Sequence, residues 1–249
     1  MTDGDSVTVG VLSLHTSKET KAILNAVEDL GHDPVWLRQE NTVISISDGE
    51  VALEPDVDVV ANRLLLTNTE QPAEGLGLAG IFAALRPMLN RPPATMTAVH
   101  KFATAAVLSE AGLPVPDALL ALSTKTFNAD RTSFGPEAVY KTAIGTHGGG
   151  TWKVSTADNL NPTIGNRRAF LQELIDLPDR PHRDLRVYVV GDRVVGAMYR
   201  YAPEGDWRTN VALGGAVEDA TDDLTDEVRQ LAIDSATTIG LDYAGVDIV

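Results

Sequence analysis

The run from Val139 to Val154, VYKTAIGTHGGGTWKV, constrains this chain more than any other stretch. β-Branched and aromatic residues on either side read as two strands, and the glycine-rich turn between them makes an antiparallel hairpin. Two roles are open to it, in even balance. It is a hairpin with a pliant tip, or a flap whose successive N–H groups cradle an anion. It is not a Walker A loop, because no Gly-Lys-Ser/Thr follows the glycines. Lys141 tilts the balance slightly toward the flap. It lies inside the first strand on the face opposite Tyr140, where its ammonium can reach beneath whatever the loop covers. The competing role is an edge lysine that extends its amine to water.

The charge balance bears on that choice. Against 35 Asp and Glu the chain sets only 20 Lys and Arg, a formal net charge of −15. Its lysines are Lys18, Lys21, Lys101, Lys125, Lys141 and Lys153, so a lysine within a strand is a poor candidate for surface filler. An anionic ligand such as a polyphosphate is opposed by the overall field, and local cations or a metal must attract it. The same balance excludes nonspecific nucleic-acid binding, which depends on basic patches, and suits a salt-adapted cytoplasm. Cysteine is absent, which excludes disulfides, thiolate metal sites and a cysteine nucleophile. The N-terminus is acidic and runs straight into a strand, so no secretory signal is visible. No apolar run approaches the roughly 18 residues needed to cross a bilayer. A cytoplasmic protein with neither nucleic acid nor membrane as partner is expected.

Along the chain, the fold class is α/β. Residues 7–14 read as a buried strand, 20–30 as an amphipathic helix ended by Gly31, and 34–37 as a second strand. Asn41 to Leu53 alternates around Asp48-Gly49, the signature of a tight hairpin, and 57–61 is another buried strand. Alternation of this kind marks an open α/β domain ending near Pro92-Pro93. The turn after the first strand, SLHTSKET, carries no dinucleotide fingerprint. His15 and Ser17 there are expected to serve as helix cap and turn rather than as a ligand site. Ala98 to Ala111 reads as one helix stopped by Gly112. Later come AFLQEL at 169–174, apolar at its start and polar at its end, a hairpin around Gly191-Asp192, a helix at 224–239 and a strand at 243–249. That last strand, ending in AGVDIV, looks central but has nothing to pair or cover it, and a truncated chain is expected. Within it Asp247 reads as a buried strand carboxylate, which calls for a metal or cationic partner.

Taken in order, K-F-A-T, L-P-V-P, V-Y-K, G-T-H-G-G-G, F-L-Q-E-L, D-L-R-V-Y-V-V-G, D-W-R-T-N and A-G-V-D resemble the ATP-grasp ligases, and among them the RimK-type α-L-glutamate ligases. The resemblance extends over essentially the whole chain. It implies an α+β ATP-grasp fold: an N-terminal α/β domain at 1–94, a central subdomain with the flap at 95–178, and an incomplete C-terminal subdomain at 179–249. Lys101 and Lys141 match the lysines that hold ATP phosphates, and Gly145, Thr146, His147, Gly148, Gly149 and Gly150 match the flap over them. Glu173 and Leu174 fall where the family contacts adenine, the latter through backbone, and Asp184 near the ribose. Arg208 and Asn210 match the Arg-x-Asn that reaches phosphates and the reacting centre. Asp247 matches the first metal carboxylate. The Glu-x-Asn half of the family's metal site would follow on a later strand, beyond Val249. Leu213 stands where some relatives place a basic residue.

The implied chemistry is amide formation through an acyl phosphate, with ATP and Mg²⁺, or alternatively Mn²⁺, and most readily with L-glutamate as the added amino acid. The acceptor is open: a protein tail, a pterin or deazaflavin coenzyme, or a small peptide. Two alternatives stand beside it. One is a lysine-biosynthesis-type ligase acting on a carrier protein. The other is a nucleotide-binding module without turnover. Self-association is a further implication of the resemblance.

Overall fold

The computed structural model describes residues 6–66, 72–145, 150–175, 182–209 and 214–249. Its contacts divide the chain into two compact units, residues 1–95 and 96–249.

The first unit contains β1 (Thr8–Leu12), α1 (Lys18–Asp29), β2 (Asp33–Leu37), β3 (Val43–Ser47), β4 (Glu50–Glu54), β5 (Val59–Asn62), α2 (Pro72–Leu85) and β6 (Met88–Leu89). Four strands form a parallel sheet in the order β2-β1-β5-β6. Their apolar runs fit burial on both faces. Leu12, Leu37, Val57, Val60, Phe82 and Met88 make the core. Ser17 caps α1 by accepting from the Thr20 amide at 3.1 Å, as the turn chemistry suggested. β3 and β4 form the expected hairpin, with Asp48 and Gly49 both at positive φ, 53° and 84°.

α3 (Pro92–Val99) runs into the second unit, which continues with α4 (Lys101–Glu110), β7 (Ala118–Leu119), α5 (Thr124–Asp130), β8 (Glu137–Thr142), β9 (Thr151–Ser155), β10 (Thr163–Ile164) and β11 (Arg167–Gln172). It ends with β12 (Arg183–Val190), β13 (Arg193–Tyr201), β14 (Ala216–Asp219), α6 (Asp226–Ile239) and β15 (Tyr243–Ile248). One antiparallel sheet has the order β10-β11-β8-β9, with β7 also on β11. Its Tyr140 face packs on Phe127 of α5 together with Ala138, Ala169 and Leu171. A second antiparallel sheet has the order β14-β13-β12-β15. Ala232 and Ala236 of α6 cover one of its faces, against Val187, Val189 and Ala197.

Three expectations are corrected. The helix at 98–111 is two helices, α3 and α4, broken at His100, which sits in extended backbone and caps α4 by accepting from the Ala103 amide at 3.1 Å. The break follows from hydrogen bonding: the Lys101 amide donates to the Ala143 carbonyl at 2.8 Å and so leaves the helical ladder. The terminal strand is not central but lies at the edge of its sheet, paired on one side: β15 runs antiparallel to β12 from Tyr243 to Ile248, and α6 packs on one of its faces. Asp247 is not buried: its side chain is 44% exposed.

Candidate active site

The two lysines come from different elements, and the charge of Lys141 acts on Lys101. Lys101 opens α4, and its ammonium donates to the carbonyls of Gly145, at 2.8 Å, and Thr142, at 3.4 Å. Lys141 lies in β8 opposite Phe170 of β11, and donates to Oε1 of Gln172 at 2.8 Å. Phe102, next to Lys101, meets the Phe170 ring edge-on at 5.7 Å and so ties α4 to this face of the sheet. Burial, then Lys141 and Arg167, push Lys101 down to about 8 from an ordinary 10.5. Burial also lowers Lys141, while Asp247 acts in the opposite sense. Both ammoniums are thus partly desolvated and bonded to neutral oxygens.

The loop's described ends are fixed by β8. The Thr142 amide donates to the Gly150 carbonyl at 2.8 Å. Gly150 has φ +99°, and a Cβ there would stand 2.6 Å from Thr142 Oγ1, so this position accepts glycine alone without rearrangement. Among the described residues Thr142 Oγ1 is buried without a hydrogen-bond partner. Thr146, His147, Gly148 and Gly149, like Asn210 and Leu213, lie outside the described residues.

On the second sheet, the face away from α6 carries an ionic ladder across three strands. Asp184 on β12 takes a forked pair from Arg200 on β13, Nε to Oδ1 at 2.7 Å and Nη2 to Oδ2. Arg200 also reaches Asp247 of β15, with Nη2 at 3.0 Å from Oδ1. Arg186, opposite Asp247 in the register, closes the ladder with a second fork at 2.7 and 2.9 Å. Burial alone would lower the Arg200 value, but Asp184 and Asp247 outweigh it and hold the guanidinium charged.

Lys101, Lys141, Asp184 and Asp247 are therefore linked, directly or through Arg200 and the field of Asp247. Two other candidates stand apart. Arg208 is folded back on Asp206, Nη2 to Oδ2 at 2.7 Å, and this pairing holds Asp206 well below the usual carboxylate range. Glu173 bonds to Asp117 through its amide, which donates to the carbonyl at 2.8 Å, and through Oε2, which accepts from the Asp117 amide at 3.3 Å. Its side chain lines an open cavity of about 390 Å³ with Asp117, Asp130, Ser133 and Phe134. Leu174 follows it in irregular, half-buried chain. From the sequence, Gln172 and Arg186 read as polar residues at element ends, with an ion pair or a turn as their ordinary role, and Arg200 carries no role. Gln172 and Arg186 stood next to named candidates, but nothing local distinguishes Arg200 until the register sets it against Asp184.

Residues 98–249 match the RimK-like ATP-grasp domain, well over half the chain. The chain belongs to that family. Its similar relatives include a probable α-L-glutamate ligase from Haemophilus influenzae, 31% identical over 215 residues that span 82% of this chain and 67% of the relative. A tetrahydromethanopterin:α-L-glutamate ligase from Methanosarcina acetivorans is 27% identical over 259 residues, 92% of this chain and 78% of that one. Among solved structures, the ATP-grasp ligase PsnB complexed with minimal precursor, Mg and ADP has a TM-score of 0.69 at 19% identity, covering 96% of this chain and 83% of PsnB. The RimK domain ATP-grasp protein from Sphaerobacter thermophilus has a TM-score of 0.68 at 20% identity, covering 97% of this chain and 86% of that protein. The expected ATP-grasp fold is borne out over nearly the whole length, and membership places the chain among the ATP-dependent ligases. Among the described residues no helix is long and apolar enough to cross a membrane.

Proposed function

We propose that this protein is a cytoplasmic carboxylate–amine ligase that adds L-glutamate to an acceptor carboxylate through an acyl phosphate. One observation carries the phosphate role: Lys101 and Lys141, close enough for one charge to act on the other, are both partly out of water, with neutral oxygens rather than carboxylates as their hydrogen-bond partners. In a chain of net charge −15, cations held this way are available to an external anion. The glutamate assignment rests on the names of the relatives.

In this scheme an acceptor carboxylate oxygen attacks the terminal phosphorus of ATP and ADP leaves. The glutamate amine then attacks the acyl carbon, and inorganic phosphate departs as the amide forms. The lysines neutralise charge on the transferred group and hold it in line, which is where the rate gain arises. Gly150 lets the chain return closely beside Thr142, and a glycine-rich flap over the site would keep water from the acyl phosphate. Arg208 and Asn210 would join from the following segment once Arg208 leaves Asp206.

The family's divalent cation is tested by Asp247. Both of its oxygens already accept from guanidinium groups, and among the described residues no group of three ligating side chains surrounds it. As folded, these residues do not fit a divalent ion, and no step is assigned to one. The carrier-protein alternative is less well supported, because an acidic carrier would meet an acidic surface.

The test is ADP release and a mass gain of one glutamyl residue on the acceptor, with pterin coenzymes and carboxylate-ended peptides offered alongside L-glutamate. Lys141→Ala is expected to abolish ADP release with an unchanged circular dichroism spectrum. Near-normal release from that variant removes the phosphate role. Nucleotide binding with no ADP release under any acceptor favours the silent nucleotide-binding module.

A further inference from the structure

Arg63, in the first unit, has no task in the ligase reading. It follows β5, and its amide donates to the Leu12 carbonyl of β1 at 2.9 Å. It therefore stands beside Ser13, where the register of β1 with β5 runs on past Leu12 and Asn62. The residue is half-buried, and among the described residues its Nε is fully buried without a hydrogen-bond partner. The ion pairs of the described residues do not include it. Leaving the N–H of a charged group out of water with no acceptor costs more than leaving a neutral one.

Its place in the fold is where open parallel sheets take ligands. From β1 the chain crosses to β2 on one side and returns to β5 on the other, so the carboxyl ends of β1 and β5 form a switch point. The hydroxyls at this end already satisfy one another. Ser13 Oγ donates to the His15 carbonyl at 2.9 Å and accepts from Thr20 Oγ1 at 3.1 Å, while Ser17 caps α1. Arg63 is left over.

We propose that the carboxyl ends of β1 and β5 bind an aliphatic carboxylate, which forks onto Arg63 through Nε and a terminal nitrogen. Three features select that class. The planar guanidinium edge matches two carboxylate oxygens at once. Leu14 and Leu65, which follow the two strands, are exposed and offer cover to a hydrocarbon stem. Glu19 of α1 is held below its ordinary value by its own amide and Ser17, and further by the charges of Arg63 and His15. Its negative charge repels a compact dianion such as phosphate more than a single carboxylate group. Among the substrates in the proposed function, L-glutamate belongs to this class. That occupant rests on the ligase reading; the site does not.

The test uses the whole chain without nucleotide or metal. The Arg63 Nε–H is followed by ¹H–¹⁵N nuclear magnetic resonance and assigned by its loss in Arg63→Lys. Glutarate and L-glutamate are each expected to move this proton downfield on binding, and inorganic phosphate at the same concentration to leave it in place. By calorimetry, Arg63→Gln is expected to bind glutarate about tenfold more weakly than the wild-type chain. Arg63→Lys keeps the charge but loses the fork, and about threefold is expected. The lysine variant carries the comparison if circular dichroism shows the glutamine variant unfolded. A signal that moves with phosphate and not with either carboxylate overturns the ligand class. A signal that none of the three moves, or glutarate binding undiminished in the folded variants, overturns the site, while the ADP-release test of Lys141 stands apart. If glutarate moves the signal and L-glutamate does not, the site holds and its link to glutamate falls.

Discussion

Raising the pH should weaken nucleotide binding through one residue, Lys101. Burial, followed by the charges of Lys141 and Arg167, places its value at about 8 rather than 10.5. The charged fraction therefore falls from about nine-tenths at pH 7 to about one-tenth at pH 9. If only the ammonium form holds phosphate, the apparent dissociation constant is the intrinsic one divided by that fraction, and affinity for ATP drops about tenfold over the interval. A bound phosphate returns the lysine toward its ordinary value, so binding takes up about half a proton near pH 8. Isothermal titration calorimetry at fixed ionic strength, in buffers of different ionisation enthalpy, reads the affinity and the proton together. Lys101→Arg, always charged, should flatten the profile and abolish the uptake. Folding responds in the opposite sense. The folded-state value lies below the unfolded one, so the penalty of charging Lys101 is full below 8 and is relieved as pH rises toward 10.5. An affinity that is constant from pH 7 to 9, or a slope undiminished in Lys101→Arg, would refute the argument.

Two further substitutions probe the frame around the site. Arg200→Leu strands Asp184, whose side chain is 11% exposed, and is expected to cost about 3 kcal/mol. The Arg200→Leu, Asp184→Leu double variant should recover much of this, read by hydrogen exchange in β12 and β13. Gly150→Ala must accommodate φ +99° and a Cβ at 2.6 Å from Thr142 Oγ1, with about 1–2 kcal/mol lost in thermal unfolding. Thr142→Ala should return only part of that loss, because the backbone strain remains.

Much of the fold was legible because hydrophobic period and turn chemistry agree locally. Asp48-Gly49 and Gly191-Asp192 set both hairpins, and the apolar runs of β1 and β5 announced a buried parallel sheet. The break at His100 was not legible, since AVHKFATAA has continuous helical character. It arises because a carbonyl of the β8 loop segment, 43 positions from His100 at Ala143, captures the Lys101 amide. The lysine of β8 could be singled out from its apolar context and the scarcity of lysine. Arg200 could not, because its role depends on a register that places Asp184 opposite it and Asp247 one strand further on. Nor could local spacing show that Arg208 would fold onto its own neighbour Asp206.

The two faces of β12 have a consequence for how this protein tolerates change. Leu185, Val187 and Val189 meet α6, where a side chain of similar volume can be exchanged with little loss. Asp184 and Arg186 alternate with them on the charged face, where lysine would keep the sign of Arg186 but lose its fork, and glutamate at 184 would keep both only by moving the carboxylate by a methylene. Sequence drift along this strand should therefore beat with a period of two: conservative shuffling of aliphatics at one residue, near-silence at the next, as if two rates of evolution had been threaded through a single strand.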